Sequence, residues 1–86
     1  MAKSEKLVMY SVFDRLTGLY STPFLAVSDD VAFRTVADQL NFGMSEFRKH
    51  SDDLDLYKIG SFDIYTGELE CQKEFIIHIK ELRKEL

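Results

Sequence analysis

At 86 residues the chain has room for one small core and none for a second lobe around a cleft. Apolar residues at 45% and charged residues at 30% exclude intrinsic disorder, which is short of hydrophobes. A formal net charge of -4 excludes a broadly phosphate-seeking surface, so any contact with nucleic acid has to be local.

After a polar start at 1–6, the first predicted element is a strand at 7–13, LVMYSVF, rich in β-branched and aromatic residues. It ends in FDRLTG, which begins at Phe13 and returns as FDIYTG at Phe62. Each copy predicts a tight β-hairpin. The carboxylate of Asp14 or Asp63 accepts a backbone amide two residues on, and Gly18 or Gly67 supplies the positive φ that closes the loop. Valine at Gly18 or Gly67 should therefore destabilise strongly, whereas changes at Arg15 or Ile64 should matter much less. Reading Asp14 and Asp63 instead as a carboxylate pair requires both turns to converge on one cleft, and no partner residues point to that.

The second strand, 19–27, carries Pro23, which cannot donate to a ladder and predicts a break. Ser28, followed by Asp29 and Asp30, marks a helix start, and the helix should run to about Asn41. Phe33, Val36, Ala37 and Leu40 form its apolar stripe, expected to lie on the sheet, with Arg34, Asp38 and Gln39 turned away. Gly43 is the expected stop, and Ser45 is expected to cap a short turn whose Phe47 plugs the core. A further strand is predicted at 56–62, then a short return strand at 68–71. Beyond it, 72–86 fits either a strand at 74–79 or a helix, and the strand with a helical or frayed end is the preferred reading. The fold class predicted is α+β, a single domain over 1–86: a small antiparallel sheet built from two β-hairpins, with one main helix packed on it.

No pattern of catalytic or metal-ligating residues emerges. His50, His78, Cys71 and the acidic residues Asp52, Asp53 and Asp55 lack CxxC, HExxH or calcium-loop spacing, and there is no phosphate-cradling glycine loop or serine elbow. The expectation is a protein without cofactor, metal or enzymatic activity. One cysteine fits a reducing cytoplasm, and the apolar run before Asp14 is too short for a signal sequence or membrane span. The nucleic-acid-binding candidates are Arg15 at a hairpin tip, Arg34 on the helix, Arg48 and Lys49 in the short turn, and Tyr57 and Lys58 on a strand. Tyr10, Tyr20, Tyr57 and Tyr65 are stacking platforms wherever they face outward. Strand edges and the apolar tail support a different reading equally well, that of a protein-interaction module or homodimer.

Taken in order, YSVFD (10–14), TPFLAVSDDVAFR (22–34) and HSDDLDLYKIGSFDIYTG (50–67) resemble the small non-structural protein of gokushovirus-type microviruses, tailless phages with circular single-stranded DNA. The family's Pro-Pro-Phe-Phe stands here as Thr22, Pro23, Phe24 and Leu25, and the tail after Cys71 departs from its pattern. The resemblance implies a factor in the host cytoplasm that acts in packaging single-stranded DNA or in switching from replication to packaging. Its implied partner is single-stranded DNA, with the replication initiator or the procapsid as the alternative for a protein-only adaptor.

Overall fold

The computed structural model describes residues 5–43 and 45–83. Strand β1 (Lys6–Asp14) turns through the first hairpin into β2 (Leu19–Tyr20), and after the Pro23 break the chain resumes pairing as β3 (Phe24–Ala26). Ser21 restores bonding across the gap: its hydroxyl accepts from the Val12 amide at 2.9 Å, and its own amide donates to the Val12 carbonyl at 2.8 Å. Helices α1 (Asp29–Phe42) and α2 (Ser45–Lys49) follow, then a 3₁₀ turn, Ser51–Asp53, leading into the long hairpin β4 (Leu54–Asp63) and β5 (Leu69–His78). The antiparallel order is β2-β1-β4-β5, with β3 on the same edge of β1 as β2. This is the predicted α+β arrangement of two hairpins and one main helix.

Helix α1 starts as its sequence predicts, with the Ser28 hydroxyl accepting from the Val31 amide at 3.3 Å and Asp29 and Asp30 in the first turn. The cap expected of the Ser45 side chain lies outside the described residues. The buried stripe of α1 is Ala32, Val36 and Leu40: Val36 and Leu40 are buried as predicted, Ala32 takes the place expected of Phe33, and Phe33 and Ala37 are half-buried at its margin. Ala32 has no exposed surface, so the helix sits close to the sheet at that point. The stripe meets Tyr10, Ala26, Leu54, Leu56 and Ile79, with Val8, Val12, Phe24 and Ile77 at the edges of the core.

The C-terminal segment is a strand with a short helical end, as the preferred reading has it, but it is not separate from the return strand. The short return strand and the later strand are one element, β5, which passes into a 3₁₀ turn at Ile79–Leu82 that plugs Ile79 into the core. Register shifts on β5, between its pairings with Leu56 and Tyr57 and again between Lys58 and Gly60, break the alternation on which the prediction rested. The end of the predicted helical stripe, Leu86, lies outside the described residues. Strand β4 starts two residues earlier than predicted, and its first half is apolar toward the helix, with Leu54 and Leu56 buried.

Tyr10 joins sheet and helix. It is fully buried, stacks on Phe24 with centroids 5.6 Å apart, and donates its hydroxyl proton to Asp29 at the start of α1. Lys58 lies 3.6 Å from the same carboxylate. Burial, then the Asp29 hydrogen bond, push the Tyr10 phenol well above the usual tyrosine range. Above pH 10 the unfolded chain therefore releases this proton while the folded chain keeps it, and stability should fall with rising pH, by about 1.4 kcal/mol per unit at full effect. Urea titrations between pH 9 and 11 should show this decline in the wild type and a flatter profile in Tyr10→Phe.

Candidate functional site

The two repeated motifs fold as near copies. In the first, Asp14 Oδ1 accepts from the amides of Leu16 (2.8 Å) and Thr17 (3.3 Å), the Gly18 amide donates to the Asp14 carbonyl at 2.8 Å, and Gly18 has φ 76°. In the second, Asp63 Oδ1 accepts from Tyr65 (2.9 Å) and Thr66 (3.2 Å), Gly67 donates to the Asp63 carbonyl at 2.8 Å, and φ is 75°. The threonine hydroxyls of Thr17 and Thr66 then accept from Leu19 and Glu68. These contacts use the aspartates structurally. Asp14 pairs with Leu54 and Asp63 with Lys6, so the turns stand at opposite ends of the β1–β4 ladder, roughly 27 Å apart at about 3.4 Å per residue. They form no carboxylate pair.

Arg15 is not the passive tip residue that the motif suggests. Its Nε lies 3.2 Å from Asp55 Oδ2, and its guanidinium donates to the Asp52 carbonyl. Asp55 is buried and also meets His78 Nδ1 at 2.7 Å. Loss of Arg15 leaves a buried carboxylate short of a partner, so it should destabilise more than a change at the exposed Ile64, by about 1–3 kcal/mol. Denaturant midpoints of Arg15→Ala and Ile64→Ala check this ordering.

Strand alternation puts Val8, Tyr10 and Val12 toward α1 and Leu7, Met9, Ser11 and Phe13 on the other face of the sheet. Among the described residues no helix covers that second face. One half of it is aromatic. Phe13 and Tyr20 lie 4.5 Å apart between centroids, Tyr20 and Tyr57 5.6 Å, Tyr57 and Phe75 5.9 Å, and Phe75 meets the His78 ring at 4.9 Å. Lys73 reaches over two of these rings, with Nζ 5.3 Å from the Tyr20 centroid and 5.9 Å from that of Tyr57. The Tyr20 phenol beside it raises the Lys73 pKa above the ordinary value, so the ammonium stays charged. Tyr20 and Phe75 remain 41% and 44% exposed. The other half of the face is a shallow apolar hollow, mostly aliphatic, lined by Met9, Pro23, Leu25, Phe62 and Leu69.

Of the residues singled out from sequence, Tyr57 is at the centre of the aromatic half, Tyr20 packs beside it and Arg15 stands at its border. The others are elsewhere. Lys58 faces the helix side and Asp29, Arg34 is exposed on α1, and Arg48 donates to Asn41 Oδ1 at 2.9 Å within the contacts that join α1 to α2. Lys49 is exposed at the end of α2. Tyr10 is core, and Tyr65 is exposed at the second hairpin tip. Sequence reasoning passed over Phe13, Lys73 and Phe75. The parity of Phe13 with Ser11 was a usable signal, whereas the irregular register of β5 hid the other two.

No three His, Cys, Asp or Glu side chains among the described residues come together as a metal-holding group, and no helix among them is long and apolar enough to cross a membrane. On the helix side, a groove of about 650 Å³ opens between α1, Phe47 and the β2 edge, walled by Val12, Leu19, Phe24, Val36 and Leu54.

Fold and surface together define a small α+β domain with one sheet face closed by a helix and the other open and aromatic. The model of the family described as Phage ORF5 protein matches residues 7–82, and the chain belongs to that family: it is a phage protein. No curated protein and no solved structure matches it.

Proposed function

We propose that this phage protein is a non-structural factor of the gokushovirus-type microviruses that binds single-stranded DNA in genome packaging or in the switch from replication to packaging. The observation that supports this reading is the aromatic half of the open sheet face with the Lys73 ammonium set among its rings. The charged groups there, Lys73 and Arg15 against Asp55, leave an excess of positive charge, although the chain as a whole is at -4. A local patch of this kind supports the reading in a chain whose overall charge is negative. Acidity elsewhere holds down non-specific attachment.

Binding to a labelled single strand at low salt, weakening steeply as salt rises, is the expected result. Absence of binding at low salt would refute direct contact. The aliphatic half supports a second reading, a protein-only adaptor docking on the replication initiator or the procapsid: Leu25 and Leu69 are 49% and 58% exposed there. Salt-insensitive capture by either partner, without DNA binding, distinguishes the adaptor.

A further inference from the structure

The open face carries more information than a general affinity for DNA. We infer that it is a stacking platform for unpaired bases, in which Tyr20, Tyr57 and Phe75 each take one base of a strand crossing the sheet, and Lys73 takes a phosphate. This inference rests on the reading of the protein as a single-strand binder and assigns that binding to named groups.

Three observations carry it. The rings come from different strands and form a row: Tyr20 on β2, Tyr57 on β4 and Phe75 on β5, with Phe13 of β1 packed against the first two. A ligand touching all three must run across the strands rather than along one. The contacts within the row are edge-to-face, at 76° between Tyr20 and Tyr57 and 77° between Tyr57 and Phe75. Rings so packed do not stack face to face with one another, and Tyr20 and Phe75, at the two ends, keep much of their surface exposed to a flat partner while Tyr57 between them is half-buried. Finally, the centroids are 5.6 and 5.9 Å apart, well beyond the roughly 3.4 Å rise between stacked nucleotides of a duplex strand. Bases seated on successive rings must be drawn apart, which an unpaired strand permits and a duplex does not.

Lys73 completes the site. In the free protein its ammonium lies over Tyr20 and Tyr57, in the space a base would take. Its side chain is long and exposed, so an arriving strand moves the ammonium outward onto its backbone while a base replaces it on the rings. The site thus exchanges one π-face partner for another and keeps its charge paired. Because every base has a π face and the nearest other hydrogen-bonding groups among the described residues, His78 and Arg15, are engaged with Asp55, recognition is tolerant of sequence and spans about three nucleotides.

Fluorescence anisotropy with dye-labelled oligonucleotides of thymine and of mixed sequence, together with a hairpin duplex, tests this in the full chain. The wild type should bind both single strands within a few-fold of one another and the duplex far more weakly. Phe75→Ala and Tyr57→Ala should each lose roughly 5- to 150-fold in affinity, and Tyr57→Phe should keep it. Lys73→Ala should flatten the slope of log K against log salt by about 0.7, the single-strand value for one phosphate. Phe75 is a partly exposed surface residue, so its variant remains folded and keeps the test valid if Tyr57→Ala is unstable. If the wild type binds single strands but both aromatic variants bind within twofold of it, the platform is overturned while the broader reading stands. If the wild type binds no DNA, both fall. Self-association of the wild type that Phe75→Ala abolishes, with DNA affinity unchanged, would assign the face to a second copy and overturn the inference.

Discussion

Gly60→Val should leave the domain largely unfolded at 25 °C, and even Gly60→Ala should lower its stability by about 3 kcal/mol or more. Gly60 pairs with Cys71 at the irregular stretch of the β4–β5 ladder. A Cβ placed there would stand 2.2 Å from the Glu70 carbonyl oxygen and 3.3 Å from its carbon. The obstacle is backbone of the neighbouring strand, so no rotamer change relieves it, and β5 must move away from β4. An 86-residue domain has a total stability of roughly 4–13 kcal/mol, which makes such a loss a large share of the whole. Gly18→Ala provides the control. Nothing lies within 4 Å of its added Cβ, so its penalty comes from the positive φ alone, about 1 kcal/mol. Urea midpoints should fall in the order wild type, Gly18→Ala, Gly60→Ala. A Gly60→Ala midpoint at or above that of Gly18→Ala would refute the close approach of the two strands.

What the sequence revealed of this fold depended on how local the determining physics is. The FDxxTG turns are set within six residues by an aspartate, a threonine and a glycine, and both fold as read. Pro23 breaks its strand because a missing amide is a property of one residue. Val36 and Leu40 of the helix stripe are legible in the 3.6-residue period, whereas Phe33 looks like a core residue by size and the close sheet surface selects Ala32 instead. Lys73 and Phe75 lie on a strand whose bulges shift parity, so only the pairing with β4 reveals that they share a face with Tyr57. The same holds for the candidate site as a whole. Tyr20, Tyr57 and Arg15 can be named from sequence, but the row cannot, because it is assembled across four strands whose register no local pattern specifies.

Leu56→Ala and Tyr57→Ala, adjacent substitutions on one strand, should have opposite consequences. Leu56 has no exposed surface and points toward α1, pairing with Val12 on one side and Ile77 on the other. Truncation removes buried methyl groups and leaves a cavity in a core too small to redistribute the strain, at a cost of about 2–5 kcal/mol. For a domain this short the thermal midpoint should drop by at least 8 °C or so. Tyr57 points to the open face, and its loss removes edge contacts to Phe13, Tyr20 and Phe75, a smaller effect of about 1–2 kcal/mol. At a temperature where both variants are folded, Leu56→Ala should bind a single strand as the wild type does, while Tyr57→Ala should not. Thermal melts and anisotropy on the same two preparations check both orders at once. Equal destabilisation by the two changes would mean that the sheet is not one-sided, whereas equal binding with the expected stability order would keep the fold and move the DNA elsewhere.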